Sequence, residues 1–310
     1  MTAPRMLLIL SENWTLTSGR DLGDLITWAR IAEDTGFDAV MISEHVVLGP
    51  DASANGVMGN PRDYAMPGNQ DPLMPWPSSL VLFSAIASVT SRLRLVGAAV
   101  LAPLRHPLLL ARELGTLDLI SSGRLVVQPS VSWSKDEYAA LGVPFRERGR
   151  ILDEQLEVMS LVWGSSPATH HGRYFDFADI YLEPKAFRPE GPRMWFGGQS
   201  AHGAVVERLV KYGHGFHPLG RPSPSDLQVI RTAMAEAGRD VAELEMVGGV
   251  RYSFPDDRSP ASLDESMDSI PPQLEQGFTT MCIKPSMYLD DASEMESFCR
   301  RVMKRAEAMA

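Results

Sequence analysis

The chain has 310 residues, 44% of them hydrophobic and 22% charged, the balance of a soluble globular protein with a large core. Its formal net charge of −10 argues against nucleic acid or an anionic membrane as the main partner. Two cysteines, Cys282 and Cys299, make neither a disulfide framework nor a CxxC metal motif, the apolar run Met6 to Leu10 is too short for a signal-peptide core, and no run approaches a membrane span, so a reducing, cytoplasmic setting is expected.

Met6 to Leu10 reads as a first buried strand, ending at Ser11-Glu12-Asn13-Trp14. From Asp21 to Thr35 apolar residues recur near the helical period, and Gly36 supplies the stop. Asp38 to Ser43 is a second strand, running into Glu44 and His45. Residues 46–77 lack periodicity and are dense in Gly, Pro, Asn, Asp and Met, which predicts a lid, a binding loop or disorder. A helix from Pro77 to Ser91, a third strand from Leu93 to Val100 and a helix from Pro107 to Ile120 follow. Leu125-Val126-Val127 is a fourth strand, continued by the small polar run Gln128 to Ser132 and by Trp133. Ser134 and, three residues later, Glu137 have the spacing of a helix start.

Beyond it the pattern predicts a helix from Arg146 to Val162 and a hairpin or irregular excursion from His170 to Leu182. Strand and helix then alternate: Arg193 to Gly197, Ala201 to Lys211, Gly215 to His217, Pro224 to Ala237, Leu244 to Tyr252, Leu263 to Gln276, Phe278 to Ile283, and a closing amphipathic helix from Asp291 to Met309. About eight strand–helix repeats without a linker are the pattern of a (β/α)8 TIM barrel, one domain over residues 1–310 with a long loop after the second strand. A doubly wound sheet is the alternative, but Ser11 to Trp14 is not the glycine-rich fingerprint it would carry after its first strand.

Chemistry in such barrels sits at the C-terminal strand ends. Those ends offer Asn13, Glu44 and His45, Ala99 and Val100, Ser130 to Trp133, Gly197 to Ser200, His217, Arg251 with Tyr252, and Lys284, the last without an evident carboxylate partner. No His and carboxylate cluster has metal spacing, and the adjacent His170 and His171 point different ways, so no metal site is expected. His45 is either an ordinary loop histidine or, held by its neighbour Glu44, a proton donor and acceptor, since an ordinary imidazole titrates near neutral pH. Gly197-Gly198-Gln199-Ser200, between a strand and a helix, is either a plain tight turn or a place where backbone amides approach a phosphate. Trp133 is either core or the wall of a ligand pocket, and Met58, Met66 and Met74 are either filler or an adaptable apolar cover.

The order of Gly123-Arg124, apolar strand, small-residue loop, Trp133, Ser134-Lys135-Asp136-Glu137-Tyr138 and Leu141-Gly142-Val143-Pro144-Phe145 through Arg150 resembles the bacterial luciferase-like monooxygenase superfamily, and within it the coenzyme F420-dependent subgroup. The likeness includes Leu101 to Pro107 and Trp195 to Ser200, and it covers roughly residues 5–220. It implies a barrel and an oxidoreductase moving a hydride between F420 and a small apolar organic substrate. The alternatives are an FMN-dependent monooxygenase served by a separate reductase and a non-catalytic flavin-binding barrel. It implies catalytic roles for His45 and Glu44, and cofactor contacts from Asn13, Ala99, Val100, Ser132, Trp133, Asp136, Gly197, Gly198, Gln199 and Ser200. It also implies a homodimer and a non-proline cis peptide at Ala99-Val100. Two departures stand out: Gln128 to Ser132 replaces a glycine-rich run, and Trp133 stands where sugar-phosphate dehydrogenases of the superfamily carry a glutamate.

Overall fold

A computed structural model describes residues 3–310. Eight parallel strands close into a barrel in the order β1-β10-β9-β8-β7-β4-β3-β2. In chain order the elements begin with β1 (Arg5–Ile9), α1 (Leu22–Thr35), β2 (Ala39–Ile42), α2 (Ser79–Val89), β3 (Arg94–Val100), α3 (Pro107–Ile120) and β4 (Leu125–Pro129). They continue with α4 (Lys135–Ala140), α5 (Arg148–Gly164), the antiparallel pair β5 (Ala168–His171) and β6 (Asp176–Ile180), β7 (Arg193–Phe196), α6 (Gly203–Tyr212), β8 (Gly215–Phe216) and α7 (Pro224–Glu236). The chain closes with β9 (Glu245–Gly249), α8 (Leu263–Met267), α9 (Pro271–Glu275), β10 (Thr280–Ile283) and α10 (Met295–Glu307).

Side-chain alternation along each strand divides the apolar residues into two layers. Leu7, Ile9, Met41, Val96, Val126, Trp195 and Val247 fill the barrel. Met6, Leu8, Val40, Leu95 and Val127 face outward against the helices. Strands β1, β2 and β4 are thereby apolar on both faces over most of their length, which is why they read as apolar runs. Gly36 ends α1 at a φ of 100°, and Ser134 caps α4 by accepting from the Glu137 N–H. The helix expected from Leu263 to Gln276 is two short ones, because Pro271 and Pro272 bring no amide hydrogens to bridge the gap.

The N-terminal face of the barrel is closed by charge. Arg94, opening β3, donates to both oxygens of Glu245 at 2.7 and 2.8 Å and to Asp38 Oδ2 at 2.7 Å. Glu245 also accepts from Thr280 Oγ1. Burial pushes the Glu245 carboxyl up, but the Arg94 guanidinium and the Thr280 hydroxyl outweigh it and leave it below the usual range.

Candidate active site

At the opposite face β2 delivers two consecutive residues that point apart, as successive residues of an extended chain must. Glu44 turns inward to the scaffold and is 5% exposed. It accepts from Leu101 N at 2.8 Å, from Ser79 Oγ at 2.8 Å and from both terminal nitrogens of Arg105 at 2.7 and 3.1 Å. It thereby joins the end of β2 to the segment after β3 and the start of α2. The expectation that Glu44 holds the His45 ring is replaced by a different contact.

His45 Nδ1 lies 3.1 Å from Glu137 Oε2, at ion-pair distance but off the line of an ideal hydrogen bond. Glu137 sits in the first turn of α4, fully buried, and takes Val46 N at 2.7 Å and Ser132 Oγ at 2.8 Å. Burial raises its carboxyl, while the His45 ring, Ser132 and the Val46 amide together bring it below the usual range. A charged Glu137 therefore favours a proton on Nδ1, which leaves Nε2 as the nitrogen turned away from Glu137. The edges of Trp76 and Trp133 pack on the ring with centroids at 5.0 and 5.5 Å. Gln70 Nε2 is 3.5 Å from His45 Nε2, and its Oε1 is buried without a partner. A half-turn of that amide would present an acceptor to a protonated Nε2, so Gln70 suits both charge states of the ring. Trp76 Nε1 is likewise buried and unpartnered.

The other expected contacts divide. Asn13 is fully buried and spends its side chain on Ile9 O, Ser11 O and the Ser286 amide, a strand-end brace that leaves nothing for a ligand. The non-proline cis bond joins Ala98 to Ala99, one residue before the Ala99-Val100 bond expected to carry it. Ala99 is partly open, whereas Val100 is fully buried among the helices. Ser132, at a φ of 55°, supports Glu137, and Asp136 accepts from Asp51 N and ties down the long loop. At Gly197 a Cβ would lie 1.7 Å from the His217 carbonyl oxygen, so this glycine is required by the neighbouring strand. At Gly198 the nearest atom to a Cβ is 3.5 Å away, and the N–H groups of Gly198, Gln199 and Ser200 donate no hydrogen bond among the described residues.

Residues 46–77 form no strand or α-helix; they cross the barrel mouth. Ala65 N donates to Glu12 Oε1 at 2.8 Å, Lys284 Nζ to Asp63 O at 2.8 Å, and Asn60 Nδ2 to Asp256 O and Ser259 O at 3.1 and 3.0 Å. Tyr64 packs on the inner barrel cluster. Lys284 is 1% exposed; burial pushes its ammonium down, and Glu12 and Asp63 work against that shift. These are the carboxylates that the linear sequence did not reveal for it.

Glu137, Gln70, Trp76 and Arg105 were not singled out as site residues from sequence. The one readable signal was the helix-start spacing of Ser134 and Glu137, which located the carboxylate but not its partner. Among the described residues no group of His, Cys, Asp or Glu could hold a metal ion, and no helix is long and apolar enough to cross a membrane.

The luciferase-like monooxygenase family profile matches residues 5–267. An uncharacterised Mycobacterium tuberculosis protein is 32% identical over 216 residues, spanning 68% of this chain and 74% of that one. A Pseudomonas putida FMNH2-dependent dimethylsulfone monooxygenase is 30% identical over 125 residues, 39% of this chain and 34% of its own length. The coenzyme F420-dependent tetrahydromethanopterin reductase of Methanopyrus kandleri superposes with a TM-score of 0.69 at 16% identity, covering 98% of this chain and 99% of that one.

Proposed function

Because the chain belongs to the luciferase-like monooxygenase family, flavin- or deazaflavin-dependent oxidoreductases, we propose that it transfers a hydride between coenzyme F420 and a small organic substrate at the mouth carrying His45. The observation that supports this most is the His45–Glu137 pair beneath Trp76 and Trp133. When bound, F420 supplies the hydride-carrying carbon of its planar ring. Moving a hydride to or from a carbonyl or alcohol carbon also moves a proton at oxygen, and His45 Nε2 is the atom that handles it. Glu137 orients the ring; Trp76 and Trp133 wall off water.

The residues fit such a cofactor at both ends. The orphaned Trp76 Nε1 and Gln70 Oε1 offer a donor and an acceptor to the polar edge of a tricyclic ring. The free amides of Gly198 to Ser200 suit a phosphate, although Asp226 already takes the Ala201 N–H beside them. On the same side of the mouth, Arg251 after β9 lies close enough to Arg221 after β8 that burial and Arg221 together lower its affinity for a proton. Neither arginine forms an ion pair among the described residues, and such a pair suits an acidic cofactor tail, which favours F420 over FMN. The FMN reading retains the Pseudomonas putida likeness in its favour. In it, reduced FMN would come from a separate reductase.

Titration of the protein with F420 and with FMN, followed by cofactor fluorescence, tests the proposal. It expects saturation at one equivalent by F420, weakened more for F420 than for FMN by Arg251→Met. Saturation by FMN alone would move the reading to a monooxygenase; binding of neither would overturn it.

A further inference from the structure

Near His45, an opening of about 330 Å³ lies between the loop after β1 and the loop after β2. Three carboxylates line it, Glu12, Asp63 and Asp71. Glu12 is nine-tenths buried; its Oε1 accepts from Ala65 N, while Oε2 accepts no hydrogen bond among the described residues and stays accessible. A carboxylate oxygen on a cavity wall that no protein group occupies is free to take a donor from a ligand. The charges around it do not cancel. Lys284 stands behind Glu12 and Asp63, but its Nζ is directed to the Asp63 carbonyl, leaving three carboxylates to one ammonium.

The remaining walls are apolar. Val57 and Leu73 are 64% and 87% exposed, an unusual degree for large aliphatic side chains at a cavity mouth, and Trp14 contributes an indole. Carboxylates, an indole and exposed aliphatic groups around one opening describe a particular ligand: an organic cation with an apolar body, its charge on the acids and against the Trp14 ring. The segment from Gln70 to Trp76 has its two ends at His45 and lends Asp71 and Leu73 to this opening, so one short segment joins the opening to the His45 ring.

We propose that this opening binds the apolar-bodied, amine-bearing portion of the substrate, with Glu12 and Asp71 as the residues that select positive charge. The mouth is then polarised, with arginines and free amides toward the cofactor and carboxylates toward the substrate. Calling the ligand a substrate rests on the redox reading above; its binding does not.

The probes are phenethylammonium, the neutral 2-phenylethanol and the anionic 3-phenylpropanoate, each titrated calorimetrically into the wild-type protein with and without F420. Phenethylammonium is expected to bind at least about tenfold more tightly than either of the others. Glu12→Gln and Asp71→Asn keep the acceptors used by Ala65 N and Leu73 N but remove the charge, and each should erase most of that preference. Equal affinity for the amine and the alcohol, retained preference in both variants, or no binding of any probe would overturn the proposal. F420 fluorescence in the same samples separates the cases: intact cofactor binding with no charge preference sinks the amine pocket alone, and amine selection without cofactor binding sinks the redox reading alone.

Discussion

The two ends of the barrel use buried polar groups in opposite ways. At the N-terminal face Arg94, Glu245, Asp38 and Thr280 satisfy one another. At the C-terminal face Trp14 Nε1, Gln70 Oε1 and Trp76 Nε1 are buried without a hydrogen-bond partner. Both ends are assembled by the same eight strands, so the contrast is not a matter of packing quality. Unsatisfied buried polar atoms cost free energy, and those beside His45 and Trp14 are ones a ligand in the mouth could satisfy. In a barrel of this kind chemistry sits at the C-terminal strand ends, and the opposite face serves stability.

The largest separation of the two should come from His45→Asn. The change keeps polarity and approximate size but removes the exchangeable ring proton, so initial rates at saturating cofactor should fall about a hundredfold to ten-thousandfold. The melting temperature and cofactor affinity should stay near the parent's. A collapse of cofactor binding instead would make His45 a structural contact.

Arg94→Met is the counterpart at the other face. It leaves Asp38 without its ion-pair partner and Glu245 with only Arg5 and Thr280 in a largely buried site, and denaturant unfolding should show a loss of about 3 kcal/mol with cofactor affinity in the folded protein unchanged. A loss of affinity at constant stability would erase the division between the faces.

His217 sits at the mouth between the two roles, with Nδ1 donating to Gln128 Oε1 at 2.7 Å. Burial pushes its imidazole from the ordinary 6.5 down to about 4. In the unfolded chain it takes up a proton as pH falls through 6.5, and in the folded protein only near 4, so stability is lost as pH drops across that window. The loss should be about 1–3 kcal/mol in unfolding measurements, and His217→Gln should flatten that part of the profile. An unchanged slope would show that the imidazole takes up its proton at the same pH in the folded and unfolded chain.

The smallest effect is expected at Gly198. Alanine fits there, so Gly198→Ala should fold normally and weaken cofactor binding about tenfold by crowding the phosphate. Gly197→Ala, one residue away, should disrupt folding, because its Cβ would overlap the His217 carbonyl. Parent-like affinity in Gly198→Ala would remove the turn from the cofactor site.

The barrel was legible in the sequence because parallel strands buried on both faces must be apolar throughout, as Leu125-Val126-Val127 is, and because Gly36 and Ser134 mark helix ends by backbone chemistry. The break after α8 was also readable, from Pro271-Pro272, but the apolar period on either side hid it. The site was legible only as a ring of strand ends. Sequence proximity suggested Glu44 for His45, yet neighbours on an extended strand face opposite ways, and the carboxylate that meets the ring comes from α4. Likewise Lys284 meets Glu12 and Asp63 only because the long loop crosses the mouth, a path no local pattern encodes. Asn13 had the right address and the wrong orientation, with its amide turned to the backbone of β1 and to Ser286.

The central claim is that the redox ring binds against His45. With imidazole-labelled histidine, the seven histidine resonances can be followed by NMR during cofactor titration, and His45 is assigned by its disappearance in His45→Asn. The account predicts that the His45 signal shifts as cofactor is added and saturates with the same dissociation constant that fluorescence gives. A cofactor that binds while the His45 resonance stays still would contradict it.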